Sequence, residues 1–266
     1  MSRLHFKMCT ALLPILLTGT VIAQPGGFGG PDQKLVKKYD TNKDGWLNKE
    51  ERQAAMKFLK SQGGNRPRFG RFPGRTRTPP KSGVKVSQSD VKTYPEAKLY
   101  DTSIVRTFFL NFEDKDWEDQ LAAFKRTDIE LPATLIVDGK KYEDVGVRFR
   151  GMSSFGMVSK GCKRSFNLSI DAIKPKQRVY GYKTLNLLNS MGDPSFMSTL
   201  LYSHISKPHI AVPKANFVKV VINGENWGVY VNVQQFNKDF LKENYDTRKG
   251  TRWKVPGSPR ATSGLE

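Results

Sequence analysis

The feature of this chain that most constrains its fold is the twelve-residue segment from Asp40 to Glu51, in which oxygen-bearing side chains surround one glycine. Gly45 stands where a metal-binding loop of this length needs a sharp, left-handed bend in its backbone. The spacing matches the calcium-loop pattern D-x-[DN]-x-[DN]-G-x5-E at every constrained position. The pattern predicts six oxygen donors to one Ca2+, with Trp46 supplying its backbone carbonyl: Asp40, Asn42, Asp44, Trp46, Asn48 and Glu51.

Apolar residues on both sides of this loop have the spacing of amphipathic helices. They are Leu35, Val36 and Tyr39 before the loop, and Ala54, Ala55, Phe58 and Leu59 after it. The segment therefore predicts a helix, a loop and a second helix, and residues 31–62 resemble a single copy of the EF-hand family. The alternative is a turn rich in Asp, Asn and Gly that holds no ion.

The first 23 residues are typical of a secretory signal peptide. Arg3 and Lys7 precede the apolar stretch 11–17, and small residues at 21–23 form a cleavage site. This apolar stretch is shorter than the roughly 20 residues that cross a membrane, so we expect no transmembrane segment in the mature chain. The prediction is export to the periplasm, cell surface or extracellular space after cleavage behind Ala23. The alternative is a buried N-terminal helix.

The chain is strongly basic, with a formal net charge of +19, which favours anionic partners such as phosphates or an anionic cell-surface polymer. Residues 24–62 are predicted to hold the EF-hand segment, and residues 63–90 a disordered linker rich in Gly, Pro and Arg. In this linker, Phe69 and Phe72 alternate with arginines, a pattern that could also contact an anionic polymer by charge and stacking. A solvated tether is the default interpretation.

Residues 91–266 have the composition of a globular domain with more strands than helices. The dipeptides at 138–139 and 223–224 are Asp-Gly and Asn-Gly, which are strong signals for tight hairpins. The pattern predicts an α+β fold with a mainly antiparallel sheet. Strands are expected near 104–112, 133–137, 142–150, 164–171, 184–188, 217–222 and 229–233, and helices near 114–124, 195–206 and 235–244.

Four segments in this region occur in a characteristic order. They are VRFRGMSS at 147–154, KRSFNLSID at 163–171, LNLLNSMGDP at 185–194 and VINGENWGVYV at 221–231. Together they resemble the spore-coat CotH kinase family, an atypical secreted kinase-like fold, over about residues 100–256. In full-length members of that family, the resemblance implies phosphoryl transfer from ATP, with Mg2+, to a protein side chain.

The residues themselves are compatible with a nucleotide site. Arg150, Ser153 and Ser154 lie where a strand runs into a loop of small residues, so a backbone there can approach phosphate. The resemblance implies that Lys163 pairs with phosphate oxygens, as the strand lysine of protein kinases does. The alternative is that these basic residues form a solvated surface.

The resemblance also implies that carboxylates holding Mg2+ follow well downstream of residues 221–231. After Gln235 the acidic residues are Asp239, Glu243, Asp246 and Glu266, in no metal-binding pattern. We therefore expect a kinase-like domain without its C-terminal lobe, with exposed apolar surface, and we assign no catalytic residue. The rival interpretation is a secreted structural or adhesion protein that binds calcium and an anionic polymer.

Overall fold

The structure, a computed structural model, describes residues 32–62 and 80–251, which all belong to one compact unit that starts at Pro31. The predicted signal peptide and its cleavage site lie outside the described residues, as do residues 63–79 of the predicted linker and residues 252–266. Within the described residues no helix combines the length and apolar character needed to span a membrane.

Seven strands form a closed barrel. In chain order they are β1 (Arg106–Asn111), β2 (Leu131–Val137), β3 (Lys140–Phe149), β4 (Phe166–Ser169), β5 (Thr184–Leu188), β6 (Ala215–Ile222) and β7 (Glu225–Gln234). The order around the barrel is β1-β2-β3-β4-β5-β7-β6, and β6 then pairs with β1. Every neighbouring pair is antiparallel except β1 with β6, so the predicted α+β class and mainly antiparallel sheet agree with the structure.

The two tight hairpins form where the sequence predicts them. Asp138 and Gly139 join β2 to β3, and Asn223 and Gly224 join β6 to β7. All four residues have positive φ angles between 47° and 79°, which the two-residue turns that match strand twist require. Since these signals are local, the hairpins could be predicted from short stretches of sequence.

The helices and one 3-10 turn connect or flank the strands. They are α1 (Val36–Tyr39), α2 (Lys49–Ser61), the 3-10 turn Gln88–Asp90, α3 (Trp117–Ala123), α4 (Ser153–Gly156), α5 (Ser198–Ser206) and α6 (Lys238–Tyr245). Helix α5 has no buried residue and leaves Leu201, Tyr202 and Ile205 between 47% and 65% exposed. These three side chains give α5 an exposed apolar face.

The barrel interior is filled by apolar side chains that alternate along the strands. Trp117 of α3 packs over one part of this core, stacked on Phe112 with ring centroids 4.8 Å apart. It also meets Trp227 of β7 edge-on at 5.5 Å. Helix α3 is therefore fixed against the barrel by aromatic packing.

A second, smaller apolar cluster joins the N-terminal segment to the barrel domain. Its buried members are Leu35, Leu47, Ala55, Leu59, Phe124 and Ile129. In helix α2 the apolar face differs from the predicted one, because Ala54 is exposed and Arg52 is buried instead. Arg52 is buried because the barrel domain supplies its polar partners, which lie more than 60 residues away in sequence.

The predicted linker ends earlier than residue 90. Val86 donates from its backbone N–H to the carbonyl of Gly224, and Val84 accepts from the backbone of Asn226. Residues 84–86 thus pair with the β6–β7 hairpin, with an isolated bridge at Lys85 and Glu225. This part of the predicted disordered linker is ordered because the hairpin offers it free backbone groups.

Candidate functional site

The structure brings the first three predicted calcium ligands together in one turn. Asp40 and Asn42 each accept a hydrogen bond from the backbone N–H of Asp44, at 3.2 and 3.1 Å. The Asn42 side chain donates to Asp44 Oδ2 at 2.9 Å, and Asp40 Oδ2 accepts from the N–H of Gly45 at 2.8 Å. Gly45 has a φ of 84°, as the predicted bend requires.

The last two side-chain ligands lie at the start of helix α2. Asn48 caps the helix by accepting from the N–H of Glu51, and Glu51 accepts in return from the N–H of Asn48. The other oxygen of Glu51 accepts from the N–H and the hydroxyl of Thr41, at 2.7 and 2.5 Å. The hydroxyl of Thr41, followed by the amide of Asn48, lowers the pKa of Glu51, so this carboxylate is ionised at neutral pH.

The loop carboxylates therefore accept hydrogen bonds from donors within the loop. One of these donors is the backbone N–H of Trp46, which donates to Asp44. In residues 32–62 and 80–251, no group of three or more His, Cys, Asp and Glu side chains is placed to hold a metal ion. Acidic and amide oxygens in this order are nevertheless the donor chemistry that Ca2+ prefers. The residues present thus fit calcium by donor type.

Lys163 lies in a different part of the molecule, just before strand β4. Its ammonium group donates to the carbonyl of Val229 at 2.6 Å and lies over the rings of Phe196 and Tyr230, at 4.2 and 5.0 Å from their centroids. No carboxylate pairs with Lys163 among the described residues. Burial lowers the pKa of Lys163 to about 8.

Lys163 lines a surface cleft of about 570 Å3. Four further lysines line the same cleft: Lys81, Lys85, Lys115 and Lys160. Lys85 and Lys160 form ion pairs with Glu225 and Asp119, at 3.3 and 2.6 Å. Trp117 and Trp227 supply aromatic surface to the cleft. A cleft with lysines and aromatic rings can accept a ligand that carries both phosphate and a planar ring.

Two other predicted phosphate-binding residues, Arg150 and Ser154, do not line this cleft. Arg150 follows strand β3 and is partly buried, which lowers its pKa. Gly151, with a φ of 81°, packs so closely on Ser154 that an added Cβ would lie 2.0 Å from the Ser154 hydroxyl oxygen. Ser153 begins helix α4, and its side chain lies outside the described part of the chain. No described contact joins Lys163 to Arg150 or Ser154.

The residues that hold the Lys163 segment in place are not marked by any sequence pattern. Glu118 of α3 accepts a hydrogen bond from the N–H of Gly161 at 2.8 Å, and its contact with Arg164 is 3.5 Å. The buried side chain of Asn189 donates to the carbonyl of Lys163 at 2.9 Å. The sequence shows Glu118 only as an acid in the first turn of a helix, where such residues are common for reasons of stability alone.

The pKa of Lys163 leads to a prediction about its reactivity. A lysine reacts with acylating reagents only as the neutral amine. In the folded protein, Lys163 should therefore reach half of its maximal labelling rate near pH 8. In urea, without burial, its labelling midpoint should rise to about 10.4. Competitive acetylation followed by peptide mass spectrometry measures both midpoints. Equal midpoints in the folded and unfolded chain would contradict the burial of this ammonium group.

The geometry defines a closed β-barrel domain with a lysine-lined cleft. A short segment with helices α1 and α2 packs against this domain. Residues 147–262 match the family model described as CotH kinase protein. A comparison with curated proteins finds no match. The chain therefore carries a CotH-like, kinase-related domain, and the matched region includes Lys163 and strands β4 to β7.

Proposed function

We propose that this chain is an exported protein in which a calcium-binding EF-hand is joined to a CotH-like kinase-related domain that binds the phosphates of ATP. The observation that carries the nucleotide part is the position of Lys163, which lies in the matched region and lines the cleft. Its ammonium group is partly buried, and among the described residues no carboxylate pairs with it. Phosphorylation of a protein side chain is the activity that full-length relatives would have.

Electrostatics supports phosphate binding in the cleft. A partly buried ammonium group without a counter-charge is stabilised when an anion approaches it, so a phosphate would raise the pKa of Lys163 again. Lys81 and Lys115 are exposed on the cleft wall and add positive potential. The affinity for phosphate should accordingly fall as the pH rises above 8, where free Lys163 loses its proton.

For the described residues we propose nucleotide binding, without a transfer step. Mg2+ in such reactions is held by carboxylates together with the nucleotide phosphates. Near the cleft, Glu118 contacts Arg164, and Asp119 pairs with Lys160. Both of these acids are therefore already paired with basic side chains.

Calcium binding rests on the donor chemistry of the loop. The proposed ligands are the side-chain oxygens of Asp40, Asn42, Asp44, Asn48 and Glu51 with the carbonyl of Trp46. Three of these side chains are already hydrogen-bonded to one turn of backbone, which reduces the entropy that binding has to overcome. Bound Ca2+ would neutralise the loop carboxylates and hold the loop ends together.

The test of the nucleotide proposal is the affinity of the full chain for ATP, measured by calorimetry at pH 7. Because a hydrogen bond to a charged group contributes about 1.5–3 kcal/mol, Lys163→Ala should weaken binding roughly 10- to 100-fold. Lys115→Ala is the matched control, since Lys115 lines the same cleft but is exposed. It should weaken binding by less than about fivefold.

The same experiment separates this proposal from its rival, a structural or adhesion protein that binds calcium and an anionic polymer. The exposed lysines of the cleft favour that rival. If Lys115→Ala and Lys163→Ala weaken ATP binding equally, the cleft is a general anion surface and the nucleotide proposal is wrong.

A further inference from the structure

Helix α3 lies between the two proposed sites and contacts both. On one side, Asp114, three residues before the helix, and Gln120 within it bind the guanidinium group of Arg52 in α2. On the other side, Trp117, Glu118 and Asp119 line the cleft that contains Lys163. A single short helix thus connects the calcium loop to the phosphate cleft.

The contact between the loop and α3 runs through Arg52, the residue after the last calcium ligand. Its side chain is 6% exposed and donates to three acceptors at once. These are the carbonyl of Leu47 in the loop at 2.9 Å, Asp114 Oδ2 at 2.9 Å and Gln120 Oε1 at 3.3 Å. Movement of the loop end or of the first turn of α2 must therefore move or break contacts to α3.

Apolar packing supports the same connection at the other end of α3. Leu47, which is 2% exposed, lies in one cluster with Phe124, the residue that follows α3, and with Ile129. In addition, Asp128 accepts hydrogen bonds from the backbone of Leu35 and Val36, at 2.7 and 3.1 Å. The helix–loop–helix segment is thus packed onto both ends of α3 and the turn that follows it.

The cleft side of α3 determines the position of the segment that precedes Lys163. Glu118 accepts from the N–H of Gly161, and Asp119 pairs with Lys160 at 2.6 Å. These contacts are two and three residues from Lys163. A shift of α3 would therefore displace the lysine that we assign to phosphate binding.

We propose that calcium in the Asp40–Glu51 loop orders the Lys163 cleft through Arg52 and α3, and thereby raises the affinity of the cleft for ATP. This inference rests on the proposed function of both sites. Calcium draws Glu51 to the loop ligands, which fixes the start of α2 and with it the adjacent Arg52. Coupling between binding sites is reciprocal, so ATP should tighten calcium binding by the same factor.

The direct reporter is the backbone N–H of Gly161, because its hydrogen bond to Glu118 forms only when α3 and the cleft segment are in register. Calcium should slow hydrogen exchange of this amide in the full chain by about 5- to 10-fold, at the lower end of typical coupling. Calorimetry should show ATP affinity rising by a similar factor in saturating calcium.

Two variants test the route. Arg52→Lys keeps a positive charge but cannot reach three acceptors with fixed geometry. Calcium should therefore still bind, while its effect on hydrogen exchange of the Gly161 amide should fall below about twofold. Asp114→Asn weakens the same contact from the α3 side and should have the same effect. Lys49→Met is the control, because Lys49 pairs with Asp114 from an exposed position and its loss should leave the coupling intact.

The outcomes distinguish a failure of the coupling from a failure of the calcium site on which it depends. If calorimetry shows calcium binding while Gly161 exchange and ATP affinity do not change, the coupling is wrong and the calcium site stands. If calcium does not bind, the proposed EF-hand function fails and the coupling fails with it. If Lys49→Met abolishes the effect as fully as Arg52→Lys does, the route through Arg52 is wrong.

Discussion

Replacing Arg106 with methionine should destabilise the protein by about 3–5 kcal/mol, since it removes one partner of a fully buried ion pair. The Arg106 side chain is 0% exposed and its Nε–H donates to Asp138, whose side chain is 3% exposed. Without the guanidinium group, the Asp138 carboxylate would stay buried without its counter-charge. Such a loss is a large part of the 5–15 kcal/mol by which a domain is normally stable.

The cost should be high because Arg106 uses every N–H of its side chain. Besides Asp138, its acceptors are the carbonyls of Tyr94, Ala97, Lys98 and Leu99. Tyr180 completes the network by donating its hydroxyl to Asp138 at 2.5 Å. Burial, followed by this hydrogen bond, raises the pKa of Tyr180 to about 12, so the hydroxyl keeps its proton at all ordinary pH values.

Urea unfolding followed by tryptophan fluorescence measures this effect. Arg178→Met is the control, because Arg178 is 36% exposed and lies 3.7 Å from its partner Asp171, so its loss should cost less than about 0.5 kcal/mol. If Arg106→Met does not fold, Asp138→Asn serves instead, since Asn keeps the left-handed turn and the side-chain shape. A loss below about 1 kcal/mol in Arg106→Met would contradict this account.

The Arg106 network shows why only part of the fold could be predicted from sequence. Asp138 was identified correctly as a turn residue, because the Asp-Gly signal is local and the turn depends on two adjacent residues. Its second role, as the buried partner of Arg106, depends on a residue 32 positions away. No local pattern marks Arg106, which stands in a strand beside threonine and phenylalanine.

Closure of the barrel could not be predicted from sequence for the same reason, because it depends on residues far apart in the chain. It requires the parallel pairing of β1 with β6, which joins residues more than 100 positions apart, such as Phe108 and Val220. Alternating apolar residues predict that each segment is a strand but do not say which strand is its neighbour. The strands were therefore predictable, and the closed barrel was not.

In the candidate sites, too, residues within a local motif could be predicted from sequence, and residues contributed by distant elements could not. The proposed calcium loop could be recognised from sequence alone because its predicted ligands lie within twelve consecutive residues, and calcium binding there stays a prediction. Lys163 was singled out from a family motif, but Glu118 and Asn189, which hold its backbone segment, come from other elements. Arg52 was overlooked because helical spacing placed Ala54 on the buried face, whereas acceptors in the barrel domain favour burial of Arg52.

Calcium binding to the full chain should be lost in Glu51→Gln, with affinity reduced at least about 100-fold, because the proposed ligand that closes the loop loses its charge. Glutamine at this position can still accept from the N–H of Asn48, so the N-terminal cap of α2 should remain. The substitution therefore removes a ligand without unfolding the helix. Calorimetry at neutral pH measures the affinity, and circular dichroism checks the helix.

Glu50→Gln is the matched control for this experiment, since it removes the same charge one residue away from a predicted ligand. It should weaken calcium binding by less than about threefold, the effect of one nearby charge in water. Mg2+ should give little heat with the unchanged protein, because it needs near-ideal octahedral geometry and dehydrates reluctantly. Equal calcium affinity in Glu51→Gln and Glu50→Gln would show that the ion, if bound, is not held by this loop.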